Sequence, residues 1–342
     1  MMAYKKFKKY AALVLVVLGF ISCKERGFLE QVYVGSALGT SYQVKLFSNK
    51  ELEIDKGLDS IFTVINNSMS TYQEDSDISR INKGDTTVVI DDNFKEVFIA
   101  SRKIYDESKG YFDPTVGSLV NAYGFGPDHT KDSLNAVEID SMLQYVGLNK
   151  LTLTSQNRIK KQAPEIYLDF NAIAKGYTID VIAKYLDKNK IDNYLIELGG
   201  ELVAKGENIG NQQAWIVAID DPLQEEGSRT FQATLKLENR AMATSGNYRK
   251  FRIEPKSGQR FVHTISPITG RSQKSNLLSA SVLAKNCALA DGYATAFMAM
   301  GMEKSLEMLK DLKDVDVYFI YSEGSDDVKI YTSDGFQKVL VE

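Results

Sequence analysis

The sequence predicts an α+β protein with mixed, mainly antiparallel sheets and intervening helices. Three observations carry that expectation. Short runs of alternating, β-branched or aromatic residues recur in neighbouring pairs with Gly-containing turns between them. Segments of helical period lie among them without strict strand–helix alternation, which argues against a doubly wound parallel sheet. The 342 residues are 44% apolar and 25% charged, enough to bury a sizeable core and too apolar for a disordered chain.

In chain order, Val32–Val34 and Gly39–Phe47 read as two strands around a glycine turn. Apolar side chains at 54, 58, 61, 62 and 65 have helical spacing and predict a helix over Ile54–Met69. Ser70–Asp77 is polar and reads as a loop, and Phe94–Ser108 as a helix ended by Gly110. Tyr111–Pro127 is rich in aromatics and glycine without a clean period, as in a structured loop. Ser141–Val146 reads as a short helix, Ile166–Phe170 as a short strand and Ala172–Asn189 as a helix. Tyr194–Leu198 and Leu202–Ala204 flank Gly199-Gly200 and predict a hairpin. Strands are expected at Trp215–Ile219, Thr230–Leu237, Gln259–Ile265 and Leu277–Leu283, with a loop over Met242–Tyr248. Asn286–Met300 reads as a helix stopped by Gly301, and Glu303–Leu312 as another. Val315–Tyr321, Val328–Thr332 and Phe336–Val341 close the chain as a meander.

The first residues read as a targeting segment rather than as part of the fold. Lys5, Lys6, Lys8 and Lys9 precede an uncharged run over Ala11–Ile21. Its 11 residues are too few for a bilayer span, which takes about 20, and suit the core of a secretory signal. Ser22 stands directly before Cys23, as in a lipoprotein signal whose cysteine is lipidated. The expectation is a signal peptide over residues 1–22 and one domain over 23–342. Cys23 would then anchor the protein to a membrane on its extracytoplasmic, periplasmic side. With the four lysines of residues 1–22 removed, the 41 basic and 45 acidic side chains leave a net charge of −8. No block of Lys or Arg breaks that balance, so no nucleic-acid footprint is visible. With Cys23 lipidated, Cys287 has no partner for a disulfide. Two cysteines and two histidines do not build a zinc site of the usual N/S type. A metal is therefore expected to be oxygen-ligated magnesium or calcium.

Several local patterns have the chemistry of a site. Asp291 and Thr295 are four residues apart on one helix face, a carboxylate and a hydroxyl suited to a hard cation. Read alone, the pair is more often a first-turn acid with Thr295 bonding back to the Asp291 carbonyl. Asp169 closes the expected strand, and Asn171-Ala172-Ile173-Ala174-Lys175-Gly176 opens a helix. Such a turn exposes backbone N–H groups that bind phosphates, and Lys175 adds positive charge. No glycine-rich phosphate loop of the Walker or Rossmann kind is present. His263 lies at a strand end, where a lone histidine is more often structural than catalytic.

The patterns gain weight from their order. Gly110-Tyr111-Phe112-Asp113-Pro114-Thr115-Val116-Gly117 is followed by Tyr123-Gly124-Phe125-Gly126-Pro127, then by Asp169 to Gly176 and Leu198-Gly199-Gly200. Ala243-Thr244-Ser245-Gly246-Asn247-Tyr248, His263-Thr264-Ile265-Ser266-Pro267-Ile268-Thr269-Gly270 and Ala290-Asp291-Gly292-Tyr293-Ala294-Thr295-Ala296 complete the series. This series resembles the ApbE family of flavin transferases, the FAD:protein FMN transferases, from about Val34 to the end of the chain.

The resemblance implies a two-lobed single catalytic domain with FAD in a cleft. It implies FAD contacts at Leu38, Tyr72, Tyr111, Phe112, Asp113, Asp169, Lys175 and Ile265. Leu38 stands where the family usually has Met. It also implies a magnesium ion held by the Ala172 carbonyl, Asp291 and Thr295. The implied reaction moves the FMN half of FAD onto a Thr or Ser hydroxyl of an acceptor protein and releases AMP. Asp291 and His263 are the candidates to assist removal of the hydroxyl proton. The family's acceptors are subunits of membrane redox complexes, such as the sodium-pumping NADH:quinone reductase and Rnf complexes. Two other readings stay open: hydrolysis of FAD to FMN and AMP at the same metal, and a non-catalytic periplasmic flavin-binding lipoprotein. Intact Asp291 and Thr295 argue against the second.

Overall fold

The computed structural model describes residues 27–127, 134–224, 230–246, 251–253, 260–262, 264–272, 275–323 and 328–341, with backbone alone at 251–253 and 260–262. Strands β1 (Leu29–Ala37) and β2 (Thr40–Ser48) lead into helices α1 (Asp55–Met69), α2 (Asp77–Asn82) and α3 (Asp92–Glu107). The short helices α4 (Gly117–Ala122) and α5 (Ala136–Leu143) follow, then a small hairpin of β3 (Leu151–Leu153) and β4 (Ile159–Lys161). Helix α6 (Ala174–Lys188) precedes β5 (Asn193–Leu198), β6 (Glu201–Lys205), β7 (Trp215–Asp220) and β8 (Phe231–Leu237). Strands β9 (Ala241–Gly246), β10 (Phe251–Ile253), β11 (Arg260–Val262) and β12 (Leu277–Ala284) come next, then α7 (Cys287–Met300) and α8 (Met302–Leu309). The chain closes with β13 (Asp316–Ser322), β14 (Val328–Thr332), α9 (Asp334–Gln337) and β15 (Leu340–Val341).

Among the described residues the main sheet has eight strands in the order β1-β2-β5-β6-β9-β12-β13-β14, antiparallel throughout. Alternation sorts its side chains into two layers. On β2, Tyr42, Val44 and Leu46 pack with Leu58 and Phe62 of α1 and Ile179 and Ile182 of α6, while Phe47 points to the other face. On β13, Val317 and Phe319 join the helical core, whereas Tyr318 and Ile320 meet Trp215, Leu235 and Phe336. Helices thus cover one face, and the smaller sheet β15-β8-β7 covers the other. On the helical face, α7 packs on β9 and β12 of the main sheet and is buried along nearly its whole length, so its few accessible side chains are informative.

The fold class is as the sequence predicts, with local differences. Tyr111–Pro127 contains α4, too short to show a period. The helix expected at Ser141–Val146 starts five residues earlier, because Asn135 and Glu138 form a capping box. Ile166–Phe170 forms no strand; only Tyr167 bridges, in parallel, to Val116. The expected loop over Met242–Tyr248 is β9 through Gly246, with 247–250 outside the described residues. Its Ala, Ser and Gly are poor strand formers, but small side chains suit a central strand of the main sheet on which α7 packs closely. Phe336–Val341 does not extend the meander. Ser333 caps α9 there, and β15 pairs with β8 in the smaller sheet.

Candidate functional site

The site is built where two helices begin side by side. Asn286 caps α7 by accepting from Leu289 N at 3.0 Å, and Asp180 of α6 accepts from Cys287 N at 2.8 Å and Ala288 N at 2.9 Å. These bonds fix the start of α7 against α6. The close approach needs Gly176: a Cβ there would collide with the Cys287 carbonyl and lie 2.9 Å from Asp291 Cβ. Gly176 N then donates to Asp291 Oδ2 at 3.1 Å, so the first turn of α6 holds the carboxylate of α7.

Asp291 is 4% exposed. Burial raises its pKa above the carboxylate range, while the Lys175 charge pulls the other way. One turn further on, Thr295 and, nearer the start, Leu289 are the residues of α7 that are not buried. The Thr178 hydroxyl of α6 is bonded back to the Ala174 carbonyl at 2.7 Å. No such bond from Thr295 to the Asp291 carbonyl is formed among the described residues, so this hydroxyl is not spent within its helix. Ala172 lies in the turn just ahead of α6. Its carbonyl, the Asp291 carboxylate and the Thr295 hydroxyl are all oxygen donors. Among the described residues no group of three His, Cys, Asp or Glu side chains gathers, and a metal held by Ala172, Asp291 and Thr295 would rest on one carboxylate and neutral oxygens. That donor set suits magnesium, which binds through few protein ligands and keeps several waters.

Lys175 is ion-paired with Glu201. Burial works against its ammonium, but Glu201 and then Asp291 outweigh burial and hold its pKa above the usual value. Glu201 opens β6 directly after the Gly199-Gly200 tip, and both glycines have positive φ, +62° and +100°. That tip lies against the β1–β2 tip: Gly199 N donates to Ser41 O at 3.0 Å, and a Cβ on Gly199 would meet Thr40 at 2.8 Å. The β1–β2 tip is Leu38-Gly39, at φ +49° and +74°. Two-residue tips of this kind need positive φ at both positions, which is unusual for a leucine. Leu38 itself packs, partly buried, against the two helical core clusters.

A second set of expected residues forms the neighbouring loops. Asp113 accepts from Thr115 N at 2.8 Å, Thr115 Oγ1 at 2.6 Å and Leu148 N at 3.2 Å. Asp169 N donates to Pro114 O at 2.8 Å, and Asp169 Oδ1 accepts from Asn171 N at 2.7 Å. Burial raises the pKa of both acids. Asn171 also reaches Thr71 Oγ1, beside Tyr72, whose ring is 63% exposed and feels the Asp169 charge. Phe112 is buried in the core close to Gly292, next to Asp291. Tyr111 lies under the Lys304 ammonium, 5.6 Å from the ring centre. Ile265 packs with Leu119 and Val146, and Ile268 approaches Gly110, which brings the 264–272 loop to the 110–119 segment. His263 lies outside the described residues. The turn over 169–176 joins the two sets, since it starts at Asp169 and ends at the Asp291 partner.

The ApbE family model matches residues 38–319, a span that includes every position above. The FAD:protein FMN transferase of Haemophilus influenzae is 34% identical over 298 residues, 84% of this chain and 85% of that protein. That of Vibrio cholerae is 34% identical over 91% of this chain and 93% of its own. The chain belongs to the ApbE family. Among solved structures, the flavin transferase ApbE of Vibrio cholerae superposes with a TM-score of 0.81 at 32% identity, over 92% of this chain and all of that one. The Pseudomonas stutzeri flavinyl transferase ApbE gives 0.80 at 26% identity, over 92% of this chain and 97% of the other.

Two residues of this ApbE protein escape a reading of motifs. Glu201 is the partner of Lys175, and Asp180 ties α6 to α7. Glu201 had a signal, a lone acid opening a strand whose next residues, Leu202, Val203 and Ala204, are apolar. Asp180 had none, because an acid in mid-helix looks like any solvated side chain. Cys287 is fully buried and burial pushes its thiol pKa well up, so its surroundings disfavour the thiolate.

Proposed function

We propose that this protein transfers the FMN half of FAD to a Thr or Ser hydroxyl of an acceptor protein, with magnesium held by the Ala172 carbonyl, Asp291 and Thr295. Its relatives carry the name FAD:protein FMN transferase over most of their length. The observation that carries the site assignment is the Gly176–Asp291 bond with Lys175 beside it. It joins a helix start and an ammonium, which suit phosphate, to a buried carboxylate, which suits a hard cation. Lys175 and the N–H groups at the start of α6 would orient the pyrophosphate. Tyr72, Tyr111 and Leu38 offer accessible or partly accessible apolar surface for the rings.

In the reaction a new O–P bond forms between the acceptor hydroxyl and the FMN phosphorus. The P–O bond to AMP breaks, AMP leaves with the electron pair, and the hydroxyl proton is lost to a base. A cation at Asp291 would offset the negative charge that builds on the phosphates. Asp291 and His263 are the candidates for the base. The acceptor is proposed to be a membrane redox subunit, and the Cys23 lipid to hold the enzyme at the membrane that carries it, raising its effective concentration. The test is incubation with FAD, magnesium and a domain bearing a candidate threonine, read by intact mass and AMP release. One FMN mass gained by the acceptor supports the transferase. AMP and free FMN without a labelled acceptor would replace it with FAD hydrolysis.

A further inference from the structure

We propose that Glu201 partitions the charges of this site: it holds the Lys175 ammonium off Asp291, so that Asp291 keeps an oxygen for a hard cation and Lys175 keeps donors for a phosphate. The inference rests on the flavin-transfer reading above and deepens it.

Lys175 has two buried acids within electrostatic reach, yet its ion pair is with Glu201, and Asp291 acts on it through space. Glu201 is 5% exposed in its side chain. Its Oε1 takes the Lys175 contact, while Oε2 is buried without a partner among the described residues. Each unpaired buried acceptor costs free energy, so stability alone does not favour this arrangement. Glu201 spends one oxygen on one ammonium. Its position is set from outside the pair. Gly200 N donates to Glu197 Oε1 at 2.7 Å, and the Gly199-Gly200 tip is bonded to Ser41 and packed on Thr40. The carboxylate is therefore fixed on a rigid hairpin, and the flexible lysine follows it.

An ammonium has three donors, and Glu201 takes one. Asp291 has one oxygen on Gly176 N and the other left over. Without the Glu201 charge, Asp291 is the remaining anion beside Lys175. The lysine would then close onto it and take the oxygen a cation needs. Glu201 is thus a positioning residue that acts through Lys175.

The test measures Mn2+ binding by electron paramagnetic resonance and FAD binding by fluorescence quenching, with thermal unfolding as a control on folding. Both are run on the full chain and on Glu201→Gln, Glu201→Asp, Lys175→Met and the Glu201→Gln/Lys175→Met double variant. Glu201→Gln is expected to weaken Mn2+ binding by about tenfold or more, and FAD binding with it. Glu201→Asp keeps the charge but shortens the reach, and is expected to behave like Gln. In the Lys175→Met background the Glu201→Gln effect on Mn2+ should shrink to roughly threefold or less, because no ammonium remains to occupy Asp291. Binding of both probes within about twofold of the original protein in Glu201→Gln, or an equal Mn2+ effect in both backgrounds, would overturn the proposal alone. An unmodified protein that binds neither probe would overturn the flavin reading and this proposal together.

Discussion

Asp113 and Asp291 are both buried carboxylates, and burial raises the pKa of each, but their oxygens are spent differently. Asp113 accepts from two backbone N–H groups and one hydroxyl of its own loops. Asp291 accepts from one backbone N–H and otherwise faces the Lys175 charge. The first carboxylate knots two loops together and has little left to give a ligand. The second keeps acceptor capacity beside a countercharge. Burial of an acid is therefore a poor marker of chemistry by itself; unspent acceptor capacity next to a cation is a better one.

That contrast breaks first at Asp291. Asp291→Ala should lower FMN transfer by about a thousandfold, on the order of 4 kcal/mol of transition-state stabilisation. Its unfolding midpoint should fall less than that of Asp113→Ala, because one backbone N–H, Gly176 N, loses its acceptor rather than two while the Lys175–Glu201 pair stays paired. Transfer within tenfold of the original would remove Asp291 from the chemistry. Asp113→Ala should do the reverse. It orphans Thr115 N and Leu148 N inside the protein and should cost roughly 2–4 kcal/mol of stability by urea unfolding. The loss of transfer per folded molecule should be far smaller than at Asp291. A stable Asp113→Ala protein with dead transfer would mean that this carboxylate touches the flavin nucleotide after all.

Asp180 lies between the two cases. Both its oxygens cap α7, yet burial pushes its pKa up to about 6. A folded-state pKa above the unfolded one means that the folded protein binds the proton more tightly. The stability this group adds is present below the unfolded pKa, near 4, and is lost as pH rises through about 6. The swing between those limits is roughly 2–3 kcal/mol. Asp180→Asn carries no such proton, so the stability difference between the two proteins should change by about 2 kcal/mol between pH 4 and pH 7. Urea unfolding over that range measures it, and a difference that stays flat would show that the two N–H donors already balance burial.

The sheet pattern was legible because alternation and helical period are written locally: β2, β5 and α7 follow their residues almost position by position. Strand β9 was not, since Ala243, Thr244, Ser245 and Gly246 are chosen by what lies above and below the strand. The proposed metal half-site on α7 could be read from the spacing of Asp291 and Thr295, but its meaning could not. The same spacing serves a helix that bonds back on itself, as Thr178 does to Ala174. The approach of α6 at Gly176 is what favours the proposed reading, and that approach joins residues 115 positions apart. The lone acid Glu201 is visible in the sequence, but its role is hidden for the same reason, as its partner lies 26 residues earlier on α6.

The smallest effects are expected at the two hairpin tips, and they sharpen the contrast between frame and site. Gly39 has φ +74° and open space where a Cβ would go, so Gly39→Ala tests backbone conformation alone. It should cost about 1 kcal/mol. Gly199 has φ +62°, but its Cβ would also press on Thr40 at 2.8 Å. Gly199→Ala therefore adds a steric push to a similar conformational cost, for roughly 2 kcal/mol in all. The push acts on the tip that carries Glu201, so FAD binding should weaken in Gly199→Ala and hold within about twofold in Gly39→Ala. Equal losses of FAD binding in both would mean that the β1–β2 tip grips the nucleotide as firmly as the tip that positions Lys175.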